Sequence, residues 1–262
     1  MRTRNVFMPD PDTPNTANPI HSTEGARSRG FRGALVGGAT VYGWAVDAIV
    51  ESLGEAWLDH GWADVRFRRP VYPTDTLDIS ISSSGVLDIA ANDTCCVEGS
   101  VGLGDAPWQD ELQDSDEPVP QPAPAPLPPL TPQSVPVGQS LRARRFAVSL
   151  AESEAFCRDK QNEASPLFFG PHARLHPAWI ASQPIFLLHH SFAYGPAIHT
   201  ASRIAHMARS RSDQFVTVTG RCIDAFERKG HQYIVNDATL LDSANAPFAR
   251  IRHTAIYQLK ET

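Results

Sequence analysis

The chain has 262 residues, which is enough for one large domain or two small ones with a sizeable core. Its hydrophobic fraction of 42% and charged fraction of 20% are typical of a globular protein. The formal net charge of -6 lacks the basic excess of a nucleic-acid binder, so no nucleic-acid partner is expected.

The cysteines and the apolar segments indicate the compartment. Cys95, Cys96, Cys157 and Cys222 show neither a disulfide framework nor a CxxC metal spacing, which favours a reducing environment. The N-terminal residues carry charge without the apolar core of a signal peptide, and Asp47 interrupts the longest apolar segment. We therefore expect a cytoplasmic protein with no membrane partner.

The first predicted element is a helix over residues 38–57. Apolar residues recur there at steps of three and four, and the apolar character continues around to Trp44, so the helix should be largely buried. The period then changes to two, since Leu77, Ile79 and Ile81 alternate with polar residues. A buried helix followed by antiparallel strands indicates an α+β unit.

Proline is concentrated between residues 117 and 137. The run EPVPQPAPAPLPPLTPQSVP favours the extended polyproline II conformation over a packed element. It predicts a semi-rigid linker between two units, residues 1–116 and 138–262. A proline-rich ligand for a recognition domain is the alternative.

The second half repeats the order of elements. Residues 176–195 predict a helix that Pro184 kinks or shortens. Residues 214–242 predict a long hairpin that turns near Lys229 and Gly230. In a closing strand, one face carries Ile251, His253, Ala255, Tyr257 and Leu259.

Matches at one constant offset support two related units. Three residues recur unchanged, namely Pro19, Ala26 and Arg27 as Pro166, Ala173 and Arg174. At this offset Phe168 faces His21, and Pro177 faces Gly30. We therefore expect a fused pair in which only the first unit carries an active site.

Three segments together carry a family resemblance. NPIH (Asn18–His21) is followed nine residues later by GFRGALVGG, then by the buried helix and VRFRRPVYPTDTL. This pattern resembles the MaoC-like dehydratase family, which includes R-specific enoyl-CoA hydratases. The resemblance implies a tandem double hot-dog of class α+β, each unit a long helix wrapped by a curved antiparallel sheet. It covers Asn18 to about Ile81, and the second half by architecture only.

The resemblance also implies site residues. In the family, a motif Asp-x-Asn-Pro-x-His supplies an aspartate and a histidine that activate water for addition to a trans-2-enoyl thioester. Asn18 and His21 match this motif, whereas Thr16 stands at the aspartate position. The glycine whose amide binds the thioester carbonyl corresponds to Gly38, with Gly37 beside it.

The residues themselves suit this chemistry. Hydration needs a group that exchanges a proton with water and donors for charge on the thioester oxygen. His21 suits the first task because histidine titrates near neutral pH. Gly37 and Gly38 suit the second, since free amides at a helix start are partly positive and glycine allows close approach. A structural histidine and a packing glycine pair are the alternatives.

Neighbouring polar residues complete the candidate site. Glu24 follows His21 by three residues, so a helical turn would place both on one face, although a solvated acid is the alternative. Asn18 orients His21, binds substrate or caps the following turn. Thr16 can hydrogen-bond but cannot serve as a carboxylate base.

Basic and histidine-rich segments supply the remaining candidates. Arg66 and Arg68 follow the buried helix, and Arg142 to Arg145 follow the linker. Both clusters suit coenzyme A phosphates, with solvated strand faces as the alternative. The histidines between residues 172 and 206 show no metal-binding spacing, so neither a metal nor a cofactor is expected.

These patterns favour a hydro-lyase that acts on an acyl thioester of coenzyme A or an acyl-carrier protein, with His21 as acid/base and Gly38 as oxyanion donor. Thr16 motivates an alternative, a non-catalytic acyl-binding protein or subunit. A third hypothesis is a thioesterase, an isomerase or a dehydratase of a substrate not carried on coenzyme A, in the same cavity. The fold also allows a homodimer of double hot-dogs.

Overall fold

One large antiparallel sheet organises the structure, a computed structural model that describes residues 1–9, 11–12 and 18–260. The strands of this described part are β1 (Arg2–Asn5), β2 (Gly61–Phe67), β3 (Thr76–Ile81), β4 (Val86–Ala91), β5 (Thr94–Leu103), β6 (Ser140–Val148), β7 (Ile198–His206), β8 (Gln214–Arg228), β9 (His231–Leu241) and β10 (Pro247–Gln258). They form one sheet in the order β1-β3-β4-β5-β2-β7-β10-β9-β8-β6. The α+β class predicted from the sequence is thereby confirmed.

Helices pack against this sheet. They are α1 (Thr23–Arg27), α2 (Gly38–Gly43), α3 (Val46–Leu53), α4 (Trp57–His60), α5 (Leu150–Phe156) and α6 (Pro177–Ser191). Helix α6 contacts β8, β9 and β10, helix α3 contacts β3 and β5, and α2 packs on α6. One apolar core therefore runs through both halves of the sheet.

The sheet consists of two halves with the same internal order. The strands β1-β3-β4-β5-β2 correspond to β6-β8-β9-β10-β7. In each half the buried helix comes after the first strand in the chain and before the other four. The halves meet where β2 pairs with β7, from Trp62 opposite Ala205 to Arg66 opposite Ala201. The repeat of elements predicted from the sequence is thus seen in the strand order.

The buried helix of the first half is shorter than the predicted range 38–57. It is interrupted after Gly43, where Ala45 donates to the carbonyl of Tyr42 and so forms a tighter turn than an α-helix. It then ends at Leu53, because Gly54 adopts a positive φ of 83°. Its burial is as expected, since Tyr42 is fully buried.

The buried helix of the second half begins and ends at identifiable residues. The ring of His176 accepts a hydrogen bond from the amide of Ala178 and caps the start of α6. The helix continues through Pro184 and ends at Ser191, four residues before the predicted limit at Gly195. Proline removes one backbone donor, and α6 tolerates this loss because it is packed between the sheet and α2.

The hairpin and the closing strand follow the sequence prediction. Strands β8 and β9 are joined at Lys229 and Gly230, which both have positive φ values, 54° and 79°. Ile251, His253, Ala255 and Tyr257 are all buried on one face of β10. Leu259 lies beyond the end of that strand.

The proline-rich segment 117–137 lies against the second half. Gln121 donates to Ala143 at 2.9 Å, and its carbonyl accepts from Nε2 of His190 at 2.8 Å. Further along, Pro128 and Leu130 bond to the backbone of Ala193. These contacts anchor the segment along its length, and the unit boundaries at 116 and 138 stay a prediction.

The residue-level repeat needs a correction. A 3₁₀ turn with a leading proline occurs in both halves, at Pro19–His21 and at Pro166–Phe168. The carbonyl of Ile20 accepts from Leu35, and its counterpart Leu167 accepts from Arg174. Arg174 therefore corresponds to Leu35 and not to Arg27, because the first half inserts α1 between the turn and the helix. The matches of Ala26 with Ala173 and of Gly30 with Pro177 fail for the same reason.

None of the helices in residues 1–9, 11–12 and 18–260 is long and apolar enough to cross a membrane. Within the same residues, no cluster of three or more histidine, cysteine, aspartate or glutamate side chains is arranged to hold a metal ion.

Candidate active site

His21 ends the first 3₁₀ turn and is held by hydrogen bonds at both ring nitrogens. Nδ1 lies 2.7 Å from the carbonyl oxygen of Leu35, and Nε2 lies 3.2 Å from Nδ2 of Asn18. A carbonyl oxygen only accepts, so Nδ1 carries the proton of the neutral ring. Nε2 is therefore the nitrogen with the free electron pair.

Asn18 supports this assignment because its own orientation is fixed. Its Nδ2 donates to the carbonyl of Ala197 at 2.8 Å, and its Oδ1 accepts from the amide of Ala197 at 3.2 Å. The side-chain nitrogen must then face His21, and a flipped amide would lose both backbone bonds. Asn18 does not cap the turn with its side chain. Of the three predicted roles, orienting His21 is the one that this geometry fits.

The surroundings of His21 favour its neutral form. Burial lowers the pKa of His21, and the nearby charge of Lys160 lowers it further, while the bond to Leu35 opposes both effects. Lys160 belongs to the second half of the chain, in the π-helical turn Cys157–Gln161. A neutral imidazole with one free electron pair can accept a proton near neutral pH.

Gly37 lies beside His21, and Gly38 follows it as the first residue of α2. The carbonyl of Gly37 accepts from Thr40 and Val41, at 2.9 and 3.1 Å. The amides of Gly38 and Ala39 have no bonded partner among the described residues, as expected for a first helical turn. An added Cβ at Gly37 would lie 3.8 Å from Cε1 of His21. The predicted histidine and the predicted oxyanion donor are thus neighbours.

The backbone of Gly38 also contacts His199, which the sequence analysis did not place in the site. A Cβ at Gly38 would lie 2.9 Å from Nδ1 and 3.0 Å from Cβ of His199, too close for any other residue. Nε2 of His199 bonds to Ser202 at 2.7 Å. The contact joins β7 of the second half to α2 of the first, and such pairing leaves no local signal in the sequence.

Other predicted residues lie apart from His21. Glu24 is exposed on α1, and extended backbone at Ser22 separates it from the 3₁₀ turn, so the expected helical turn does not run from His21 to Glu24. Arg66 is exposed and alternates with buried Val65 on β2, and therefore points away from the core. Arg68 pairs with Glu98. Thr16 lies outside the described residues.

The second half carries a filled version of this site. Phe168 takes the place of His21 in the equivalent turn and is 1% exposed. Its ring lies 4.6 Å from the ring of His176, which stands where the first half has Gly37. Burial lowers the pKa of His176 to about 3. In the second half the rings of Phe168 and His176 fill the space that Gly37 leaves open in the first half.

A cleft of about 400 Å³ opens beside the loop that holds Asn18. Its walls include Gly195 and Pro196, which directly precede Ala197, and Phe31 from the loop after α1. Arg29 and Lys260 also line it, so the cleft is partly basic. Pro196 in its wall is bonded to Ala197, the residue whose backbone holds the Asn18 amide.

Comparison with known proteins identifies the fold. No protein-family model and no curated protein matches the sequence. A protein described as a MaoC domain dehydratase, from Chloroflexus aurantiacus J-10-fl, superposes with a TM-score of 0.61 at 13% identity, covering 100% of this chain and 94% of its own. A Mycobacterium tuberculosis protein with a double hot-dog fold gives 0.65 at 12% identity, covering 97% and 93%. An acyl-CoA thioesterase II from Mycobacterium marinum gives 0.52 at 12% identity, covering 87% and 91%.

These likenesses confirm the double hot-dog fold predicted from the NPIH segment and the repeated elements. At such identities they show the fold alone. The named activities of the similar structures include both dehydration and thioester hydrolysis. The reaction must therefore be argued from the side chains of this chain.

Proposed function

We propose that this chain is a hydro-lyase that adds water to an enoyl thioester, or removes it from the 3-hydroxyacyl thioester. One observation carries the proposal. The bond from Nδ1 to Leu35 leaves Nε2 of His21 as the basic nitrogen, and the imidazole ring lies beside Gly37, which directly precedes the first residue of α2, Gly38. A base and a pair of unpaired amides are the two groups that hydration needs.

The proposed steps follow from this geometry. A water molecule bonds to Nε2 of His21 beside the Asn18 amide, which keeps the ring aligned, and gives up a proton as its oxygen attacks the β-carbon. The C=C electron pair moves toward the thioester oxygen, which accepts a hydrogen bond from the amide of Gly38. The proton held on His21 then moves to the α-carbon, so water has been added across the double bond. The 3.2 Å contact with Asn18 is at the long end for a hydrogen bond, so Nε2 can share its electron pair with the water while Asn18 still holds the ring.

The carrier is proposed to lie in the cleft beside Asn18. Phosphates of coenzyme A or of a carrier-protein pantetheine need cationic partners, and Arg29 and Lys260 line that cleft. Arg66 and Arg68 remain predicted partners, although both are exposed and Arg68 already pairs with Glu98. Binding in the cleft would place the thioester beside Ala197 and His21.

The test is turnover of crotonyl-CoA and of longer enoyl-CoA substrates, followed by absorbance of the conjugated thioester. We expect His21→Ala to reduce kcat by about 10²- to 10⁴-fold, the usual contribution of a general acid/base. His172→Ala is the matched control, since His172 is exposed. Turnover that survives His21→Ala unchanged would reject this mechanism.

The same assays separate the alternatives. Release of free thiol from a saturated acyl-CoA would identify a thioesterase. Tight binding of acyl-CoA with no reaction on any enoyl substrate would identify a non-catalytic acyl-binding protein. A measurable hydration rate that depends on His21 excludes both as the principal function.

A further inference from the structure

A row of polar side chains crosses the inner face of the sheet in the second half. Asn236 on β9 stands opposite His253 on β10, which stands opposite Ser202 on β7. All three are at most 1% exposed. Their neighbours on the same face of β9 and β10 are apolar, Ile234, Ala238, Ile251 and Ala255. The row is therefore an unusual feature of an otherwise apolar face.

Two members of this row lack hydrogen-bond partners. Neither Nδ2 nor Oδ1 of Asn236, and neither ring nitrogen of His253, bonds to another atom of the described residues. The next residue along β9 differs, because Asp237 on the outer face makes two bonds to Arg252, both at 2.8 Å. Unpaired buried polar atoms destabilise a fold, so four of them side by side need an explanation.

The row leads directly to the candidate active site. The ring of His253 lies 4.2 Å from the ring of His199. His199 in turn touches the backbone of Gly38, whose added Cβ would lie 2.9 Å from its Nδ1. Neighbouring strands place Asn236 about 5 Å beyond His253. An acyl chain whose thioester lies at the Gly38 amide would thus meet His199, His253 and Asn236 in that order.

The charge state of these groups selects the kind of ligand. Asparagine is neutral, and burial lowers the pKa of His253 to about 3 and that of His199 well below its usual value, so both rings are neutral at pH 7. A buried carboxylate or ammonium group would need an opposite charge, which these side chains do not offer. A hydroxyl or keto oxygen can bond to an amide and an imidazole without any charge. A plain alkyl chain would leave all four polar atoms unpaired.

We propose that Asn236 and His253 form the inner end of the acyl-binding site and bind a neutral oxygen group, a hydroxyl or a ketone, on the acyl part of the thioester. This proposal rests on the proposed function, because the reactive thioester is placed at Gly38. It narrows the substrate class from acyl thioesters in general to those with an oxygenated acyl chain.

The first experiment measures affinity without reaction. Isothermal titration calorimetry compares hexanoyl-CoA with 5-hydroxyhexanoyl-CoA and 5-oxohexanoyl-CoA, three saturated thioesters that cannot be hydrated. We expect at least one oxygenated ligand to bind about tenfold more tightly or better, as a hydrogen bond to otherwise unpaired buried groups predicts. Equal affinity for the three, including no measurable affinity for any, overturns the proposal.

The second experiment tests the two residues. In Asn236→Leu and in His253→Phe, which keeps a ring at that position, we expect the preference for the oxygenated ligand to fall to about twofold or less. We also expect the melting temperature to hold or rise, because unpaired polar atoms are replaced by apolar ones of similar size. A structural role alone would leave the preference unchanged, and that result in a folded variant rejects the proposal.

Ser191→Ala is the matched control. It also removes a buried polar group of the second half, but the hydroxyl of Ser191 is bonded to the carbonyl of Leu187 at 3.0 Å. We expect this variant to keep the ligand preference. Because the ligands cannot be hydrated, their affinities test only the inner site. Turnover of enoyl-CoA substrates tests the hydro-lyase separately.

Discussion

Asn18 holds His21 across a single turn, with its Nδ2 only 3.2 Å from Nε2, while both of its own amide atoms bond to the backbone of Ala197. The orientation of the imidazole thus depends on the residue that directly precedes β7 in the other half of the chain. In Asn18→Ala we expect kcat to fall about tenfold or more with a smaller change in KM, because the ring loses its alignment. Steady-state kinetics checks this, with Asn5→Ala on β1 as the control. A kcat within twofold of the parent contradicts it.

The pH dependence of activity should report the burial of His21. Its pKa is lowered by desolvation and by Lys160, and the neutral ring is the proposed base. We therefore expect kcat/KM to be constant near pH 7 and to fall only below the usual histidine pKa of about 6.5. A pH profile of kcat/KM between pH 5 and 8 measures this limb. An acidic limb centred above 6.5 is incompatible with the arrangement.

Gly37 and Gly38 should respond differently to the same small substitution. In Gly38→Ala the new methyl group would lie 2.9 Å from the ring of His199, so we expect a loss of about 1–3 kcal/mol in unfolding free energy together with loss of activity. In Gly37→Ala the nearest atoms are 3.8 Å away, and the fold should be unchanged. Urea denaturation of both variants provides the comparison. Equal destabilisation of the two would contradict the packing described for His199.

His21 and Phe168 occupy equivalent turns but should have opposite mutational signatures. Phe168 is 1% exposed within the core, so Phe168→Ala is expected to cost about 3–5 kcal/mol of stability. His21→Ala should cost about 1–2 kcal/mol, since it removes one hydrogen bond to Leu35 and one from Asn18. Chemical denaturation measures both losses, and turnover shows that only His21→Ala abolishes activity in a folded protein. Comparable stability losses would show that the halves are not specialised in this way.

Buried histidines should make the protein sensitive to mild acid. Burial lowers the pKa of His176 and His253 to about 3 and that of His206 to about 4, whereas unfolded histidines titrate near 6.5. Below pH 6.5 the unfolded chain takes up protons that the folded chain does not, so the free energy of unfolding falls as the pH decreases. The limiting slope is about 1.4 kcal/mol per pH unit for each histidine.

Urea denaturation at pH 7, 6 and 5 tests this slope in a range where most carboxylates stay ionised. His253→Phe should remove about a third of the slope contributed by these three residues. A free energy of unfolding that is constant from pH 7 to 5 would show that the folded protein takes up as many protons as the unfolded chain, contrary to the lowered pKa values of the three rings.

The fold was largely predictable because its signals are local. The change from a helical period to alternation and the hairpin at Lys229 each occupy consecutive residues, and the structure shows the helix, strands and hairpin that they predict. The match of Arg27 with Arg174 failed because a constant offset assumes equal spacing, and α1 is inserted in the first half only. In this repeat, equivalent hydrogen bonds align the two halves correctly, whereas matched residue types at a constant offset do not.

The candidate site was predictable only in its local part. His21, Asn18, Gly37 and Gly38 lie within 21 consecutive residues, and the resemblance carried by NPIH and GFRGALVGG names all four as candidates. The contacts of Asn18 with Ala197 and of Gly38 with His199 join residues from opposite halves. Whether these residues meet depends on how β2 pairs with β7. The periodicity of a single sequence does not encode that pairing.

The two turns that begin with proline also show what a covalent fusion permits. In a homodimer of identical units, any substitution appears at both sites, so an aromatic residue that fills one site would remove the other as well. In this chain Phe168 and His21 are encoded separately, and one half can give up chemistry for packing without penalty to its partner. Because β2 and β7 join the halves in one sheet, packing that stabilises the second half also helps to hold the proposed reactive groups of the first half in place.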